Sequence, residues 1–348
     1  MKKFFSIIAL AAAFGFAPVA NAVEFDDGIY HFNNIIHGND NGTNVMISLA
    51  ADATVPANVV MPTTVTYEGV TYTVTHVKDK IFSNNNTIVS VKLPEQLRYL
   101  EDAAFEHCKL LQKVEFPSTL LWIGGWCCTG CSSLNNVVLP ESLTYIGQDA
   151  FSWGPIIGDE LIVPDAVTSI GNNAFSGSKI KKIVFGTGVT TIPTGLCAWC
   201  PVNAAVIPEN VKTIQSFAFQ GAQMAQVNLG KPETLEANIF ADCGNLKEVG
   251  VEAVEPPACV ESTFPAATYE GKLVVVSEAA KAAYQANAVW GKFATIEVTT
   301  MTGVDEVAAA EAAAAVAYNL YGVKVADDIK NVTTPGIYIA GGKKVLVK

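Results

Sequence analysis

The sequence predicts a mainly β solenoid of short parallel strands, and three observations carry that expectation. A single unit recurs between residues 81 and 264, most clearly as Leu134-x-x-Val137-x-Leu139-Pro140-x-x-Leu143-x-x-Ile146-x-x-x-Ala150-Phe151. The aromatic slot of that unit, or its equivalent, falls at Phe82, Phe105, Cys128, Phe151, Phe175, Cys197, Phe219, Phe240 and Phe264, in steps of 21 to 24 residues. Units of this length cannot bury their own apolar side and must stack on their neighbours. The chain is also 50% apolar and only 16% charged, a balance too apolar for disorder.

Each element of the unit follows from its pattern. Val137-x-Leu139 alternates, which predicts a very short strand with both apolar residues inward. Pro140 has no N–H for a ladder and ends the strand. Leu143 and Ile146 return to the core, Gly147 turns the chain and Phe151 fills the far side. The copy before reads Leu111, Val114, Phe116, Pro117, Leu120, Ile123. The copy after reads Leu161, Val163, Pro164, Val167, Ile170, Ala174, Phe175.

These residues resemble the BspA-like leucine-rich repeats of bacterial cell-surface proteins, whose unit has the form L-x-x-L-x-L-P-x-x-L-x-x-I-x-x-x-A-F-x-x-C. The resemblance covers most of the chain. It implies a leucine-rich-repeat solenoid of ~23-residue units and a non-enzymatic role in surface binding. The expected partner is a protein or glycoprotein on host or neighbouring cells, bound in adhesion. A structural or envelope-assembly scaffold that holds other surface proteins is the alternative. Nothing in the resemblance names a ligand.

The rest of the chain divides around the array. Residues 1–22 read as a signal peptide: Lys2-Lys3, an apolar run over 4–16 and the small-x-small site Ala20-Asn21-Ala22. That implies export to the cell surface or beyond, with the periplasm as the other destination. Residues 23–80 read as a β cap, because Asn41-Gly42 and Glu68-Gly69 each sit between alternating apolar runs as hairpin turns do. The array itself is expected over 81–270. A closing cap follows over 271–298, with a strand at 272–276, a helix over 278–288 capped by Ser277, and Tyr284 inward. Residues 299–317 read as a linker whose alanines favour helix but offer no apolar face. Residues 318–348 alternate and turn like a small separate β module. They resemble C-terminal modules related to sorting domains of the type IX secretion route. The residues themselves leave a plain terminal cap equally open.

Charge excludes some functions. The net charge is −11 and Arg98 is the only arginine, so there is no basic stripe for nucleic acid. No segment beyond the first is long and apolar enough to span a bilayer as a helix.

Constellations that resemble chemistry dissolve into the repeat. Cys128-Thr129-Gly130-Cys131 and Cys197-Ala198-Trp199-Cys200 are both C-x-x-C, a spacing used in redox pairs and zinc sites. Yet Cys128 and Cys197 occupy the aromatic slot, and Cys131 and Cys200 share the slot three residues later with Cys108 and Cys243. The two pairs lie three repeats apart, ~14 Å at ~4.8 Å per stacked strand, too far for one metal. A Cys108–Cys131 disulfide between adjacent repeats remains open beside a ladder of buried thiols. His107 adjoins Cys108, but nothing stands behind it to complete a triad. No metal, cofactor or catalytic residue is expected. An enzyme using the Cys127–Cys131 region is the weakest reading.

One surface feature points to binding. The middle residue of each short strand should face solvent, and that slot reads Lys92, Glu115, Val138, Ile162, Val184, Val206, Asn228, Gly250. Val138, Ile162, Val184 and Val206 would form an apolar stripe, which marks either β propensity or a protein contact. Glu95, Glu141, Asp165 and Glu209 would border it with acid.

Overall fold

The structure is a computed structural model that describes residues 23–34, 42–154 and 160–298, together with four strands between 317 and 347. From residue 58 onward the chain coils, and each turn repeats three edges. The first edge is a strand of three or four residues. Asn58–Val60, Ser90–Lys92 and Lys113–Glu115 pair in parallel. Glu160–Ile162, Lys182–Val184 and Ala204–Val206 form the next group. Gln226–Asn228, Glu248–Gly250, Lys272–Val275 and Thr295–Val298 form the last. The second edge is a two-residue strand. Tyr99–Leu100, Trp122–Ile123, Tyr145–Ile146 and Ser169–Ile170 continue in parallel from Val70–Val77. Thr191–Ile192, Thr213–Ile214 and Thr234–Leu235 follow as a separate ladder.

Between the two edges the proline acts as expected, and its carbonyl adds a turn. Pro94, Pro117, Pro140, Pro164 and Pro208 each accept the N–H three residues on, from Leu97, Leu120, Leu143, Val167 and Val211, at 3.0–3.1 Å. Gly186 serves Val189 in the same way at 3.2 Å. The leucine or valine that donates this bond is fully or nearly fully buried.

The third edge contains the aromatic slot. Residues two before and two after that slot both take positive φ: Ala103 (56°) and His107 (56°) around Phe105, and Asp149 (53°) and Trp153 (53°) around Phe151. This local winding turns alternate N–H groups along the solenoid axis. The N–H groups of Ala103, Phe105 and His107 donate to Gly125, Cys127 and Thr129 of the next turn at 2.7–2.8 Å. Inside, Phe82 stacks on Phe105 at 5.8 Å, Phe151 on Phe175 at 5.7 Å, and Phe219 on Phe240 and Phe240 on Phe264 at 5.7 and 5.5 Å. Where Cys128 interrupts the column, Phe116 from the first edge meets Phe151 edge-on at 6.4 Å.

One expected strand is missing. Val137-x-Leu139 does not pair as a strand, because Asn136 takes a left-handed φ of 51° and turns the chain out of the ladder. The last ladder-like bond there runs from the Asn135 N–H to the Gln112 carbonyl at 3.2 Å. Val137 and Leu139 are buried all the same, so the inward pattern survives the loss of the strand.

Both caps form. Glu24–Asp26, Tyr30–Asn34 and Asn44–Leu49 are antiparallel, and Asn44–Leu49 lies parallel to Val70–Val77. Thr64–Tyr67 folds back on Val70–Val77 through Glu68 (φ 49°) and Gly69 (φ 80°), the two left-handed residues of a type I′ hairpin. Phe25 closes the end by stacking on Phe32 at 5.0 Å and Tyr67 at 4.4 Å. At the other end the helix Glu278–Ala286 starts where Ser277 Oγ accepts the Ala280 N–H. It buries Tyr284, whose hydroxyl donates to the Ala253 carbonyl at 3.1 Å, beside Trp290, whose Nε1 donates to the Pro257 carbonyl at 3.0 Å. Further on, Ala317–Asn319, Lys324–Ala326, Gly336–Ala340 and Lys343–Val347 form one antiparallel sheet. The segment 1–22 expected as a signal peptide, the stretch at 35–41 that includes Asn41, and the bulk of the expected 299–317 linker lie outside the described residues. Among the described residues no helix is long and apolar enough to cross a membrane.

Because each aromatic in the column touches both neighbouring turns, its loss opens a cavity that neither turn can close. Phe151→Ala is expected to destabilise the chain by ~3–5 kcal/mol, measured by urea unfolding. A change within ~0.5 kcal/mol would show that the column is not what holds the turns together.

Candidate binding faces and the thiol row

The stripe on the first edge is shorter than the sequence pattern implies. Ile162, Val184 and Val206 are in register across three paired strands. Ile162 is 58% exposed and Val184 half-buried, but Val206 is only 9% exposed. Its expected solvent-facing position is therefore corrected. The cause lies next to it: Ala205 is too small to fill the inward slot, stays half-buried, and Val206 and Ile207 are both buried instead. Val138 is 76% exposed, yet it stands outside the ladder because its turn has no strand. Residues 155–159 also fall between it and Ile162. The structure thus brings Ile162 and Val184 together and leaves Val138 as a separate apolar point on the preceding turn.

The acidic border is largely paired. Glu95 meets Lys92 at 3.0 Å and Glu209 meets Lys231 at 2.6 Å. Asp165 accepts the Thr187 N–H at 2.7 Å and its hydroxyl at 3.0 Å, and Glu141 is exposed. Such surface pairs contribute ~0–1 kcal/mol each, so they set local charge more than stability.

The second edge carries a feature the sequence reading missed. His76 stacks on Tyr99 at 4.4 Å, and Trp122 on Tyr145 at 3.5 Å, all in register on successive turns. The residue just before the buried Leu or Ile of each second strand would have been the signal. Each ring covers one face of its partner, which fits a cohesive role. At the junction of the N-terminal cap and the first turns there is an open groove of about 650 Å³. It is lined by Met46, Lys78, Lys80, Asp79, Glu106 and Trp126, among others. Its groups are already engaged in part: Glu106 accepts from Ser83 Oγ at 3.1 Å, and nearby Asp102 accepts the Gly125 N–H at 2.6 Å.

The cysteines form a row with a defined job. Cys108, Cys131, Cys200 and Cys243 each donate Sγ–H to the carbonyl of the preceding turn's aromatic slot, at Phe82, Phe105, Phe175 and Phe219, over 2.9–3.1 Å. Cys128 and Cys197 are fully buried in the aromatic slot itself. Burial, reinforced by Cys131, pushes the Cys108 thiol up to about 12. The hydrogen bond with Cys128, together with burial, raises Cys131 as well. A thiol held protonated is a poor nucleophile and a poor metal ligand. His107 is exposed while Cys108 is buried, so adjacency in sequence makes no Cys–His pair. Among the described residues no group of three or more His, Cys, Asp or Glu side chains converges as a metal site.

Comparison with known proteins agrees with this architecture. The model for the BspA type leucine rich repeat region matches residues 57–157 and 158–255 in 6 copies, more than half of the chain. No curated protein matches by sequence. Among solved structures, a leucine-rich repeat protein from Bacteroides ovatus is 18% identical, with a TM-score of 0.53, over 79% of this chain and 76% of its own. That likeness shows the fold. A T. pallidum leucine rich repeat protein is 25% identical over 57% of this chain and 89% of its own, with a TM-score of 0.49. A leucine rich cell surface protein from Faecalibacterium prausnitzii is 18% identical over 80% and 96%, with a TM-score of 0.31.

The thiol row has two measurable consequences. Iodoacetamide at pH ~8, below the ordinary thiol range, should modify Cys259, the one half-buried cysteine, and reach the seven buried ones only after unfolding. Rapid labelling of Cys128 or Cys131 in the native chain would contradict this. The folded state also holds the Cys108 proton more tightly than the unfolded chain does. Its contribution to stability is therefore complete below the ordinary value of 9.0 and is lost as pH rises through 9.0 towards about 12. Tyr30, pushed by burial from 10.0 to about 12, adds to the same trend. Urea midpoints should be level up to pH ~8 and fall above it.

Proposed function

This chain belongs to the BspA-type leucine-rich-repeat family, and from that premise we propose that it is an exported, non-enzymatic protein that binds protein or glycoprotein ligands at the cell surface. Proteins built on this repeat are binding scaffolds, and a solenoid offers an extended surface whose outward residues can vary without disturbing the core. The observation that carries the reading is the outward apolar pair Ile162 and Val184, in register on a hydrogen-bonded ladder with Val138 exposed on the turn before. Apolar side chains standing out from a rigid backbone are pre-organised, so a partner that covers them loses little further conformational freedom on binding. The signal-like residues 1–22 and the absence of a membrane-spanning helix among the described residues agree with delivery outside the cell. The separate four-stranded sheet over 317–347 supports a second reading, in which that unit anchors the chain and the repeats hold other envelope proteins.

The test is binding of the chain from residue 23 onward to immobilised matrix glycoproteins and to whole bacterial cells. The Val138→Thr, Ile162→Lys, Val184→Lys variant should keep its thermal midpoint and lose at least ~tenfold in affinity, the equivalent of ~1.4 kcal/mol. Val206→Lys should behave differently and unfold the chain, because it places a charge where Val206 is buried. Unchanged capture by the folded triple variant would remove this face from the binding site. Recovery of envelope partners alone would favour the scaffold reading.

A further inference from the structure

The third edge of the solenoid carries a pattern that neither the core nor the Ile162–Val184 stripe uses. The residue two after the aromatic slot takes positive φ in every repeat from Asn84 (60°) to Asp242 (60°). In the middle of the array that position alternates between a ring and a glycine: His107, Gly130, Trp153, Gly177, Trp199, Gly221. Glycine adopts this conformation freely, whereas a tryptophan at φ 53° or 61° is an outlier. Strained residues of this kind persist where something other than local backbone preference holds them.

The alternation has a geometric cause. A Cβ placed on Gly177 would meet Trp153 Cε3 at 2.5 Å, with Cδ2 and Cζ3 almost as near at 2.8 and 2.9 Å. Two bonded neighbours nearly as close as the nearest atom means approach over the ring face, not at its rim. At Gly221 the same atoms of Trp199 stand at 2.9–3.6 Å. Each indole therefore lies flat over the glycine of the next turn, with one face covered and the other open. Exposures of 60% for Trp153 and 53% for Trp199 agree with that. Any larger residue at 177 or 221 would lift the tile from the surface.

The spacing and the charge then narrow the ligand. The rings recur every second turn, ~10 Å apart at ~4.8 Å per stacked strand. That is the advance of one disaccharide unit in an extended β-1,4-linked glycan. The turns at 126–130, 149–153, 173–177, 195–199 and 217–221 contain a single carboxylate, Asp149, and no Lys or Arg, in a chain of net charge −11. A pyranose ring matches such a surface: its C–H face is apolar and stacks on an aromatic ring, and its hydroxyls need polar neighbours such as Thr129, which also bonds the Asp149 carbonyl, and Gln220, whose Nε2 donates to Asp242 at 2.9 Å. The exposed Lys179 lies two residues past Gly177, outside these five turns. We infer that the Trp153 and Trp199 platforms form a binding site for an extended, uncharged β-linked glycan, separate from the Ile162–Val184 face.

The experiment uses the chain from residue 23 onward, with cellohexaose, chitohexaose and a soluble β-glucan as probes and the α-linked dextran as control. Intrinsic tryptophan fluorescence and retardation in glycan-containing gels give the readouts. Saturable binding to at least one β-linked probe and none to dextran is expected. Trp153→Gly and Trp199→Gly keep the left-handed backbone, so neither should lower the thermal midpoint. Each should weaken binding about tenfold, and the double variant should abolish it. The Ile162→Lys, Val184→Lys change should leave glycan binding intact, which keeps this test independent of the protein-binding face. Absence of binding to every β-linked probe, or full affinity in the folded double variant, would overturn the assignment. So would loss of a protein ligand in the double variant with no glycan bound by the wild type, which would make this face a protein contact.

Discussion

Each turn of this chain passes its backbone hydrogen-bonding groups to the next, and the rest of the structure depends on that transfer. On all three edges the donors of most turns meet the acceptors of a neighbour, through ladders of paired strands on two edges, each broken in places, and through alternating left-handed residues on the third. A buried N–H without a partner is costly, so a turn cannot slip or tilt by itself. The interior follows from the same constraint. With every turn held at the same rise, equivalent side chains fall on top of one another, and Phe82, Phe105, Phe151 and Phe175 become neighbours though far apart in sequence.

The same stacking explains why cysteines are tolerated without chemistry. A thiol in the slot three after the aromatic position is small, apolar enough for the core and still able to donate one bond to a carbonyl that the left-handed turn leaves available. Ser178 holds this position in another turn and contacts Cys200 Sγ at 3.4 Å. The C-x-x-C spacing is thus the offset between two core positions: the hydrogen bond with Cys128, with burial, raises Cys131, and in the other pair the hydrogen bond between the two thiols raises Cys197 and lowers Cys200. Outward positions obey looser rules. They must only respect the backbone, and that is where Trp153, Trp199 and Ile162 can vary the surface without cost to the core.

How much was legible in sequence depends on whether a residue's position is set by its own turn or by the next. Pro140, Leu143, Ile146 and Phe151 are placed by a local pattern, and each lies where the spacing indicates. The hairpin at Glu68-Gly69 and the Ser277 cap are likewise short-range and are present. Val206 shows the limit. Its outward slot follows from alternation, but whether it stays exposed depends on how Ala205 fills the space inside. The missing strand at Val137-x-Leu139 turns on the left-handed Asn136, a conformation that asparagine permits without requiring.

The sequence by itself determined the solenoid, its period and the inward set of residues, because these rest on composition and on a pattern repeated many times over. Only the tertiary structure decided which outward residues share a surface. The His76–Tyr99 and Trp122–Tyr145 stacks, the indoles lying over Gly177 and Gly221, and the shortening of the apolar stripe all depend on contacts between turns. The physical reason is one of range: core positions are selected by burial, which hydrophobicity records along the chain. A surface is made by register between segments more than twenty residues apart, which no single unit encodes.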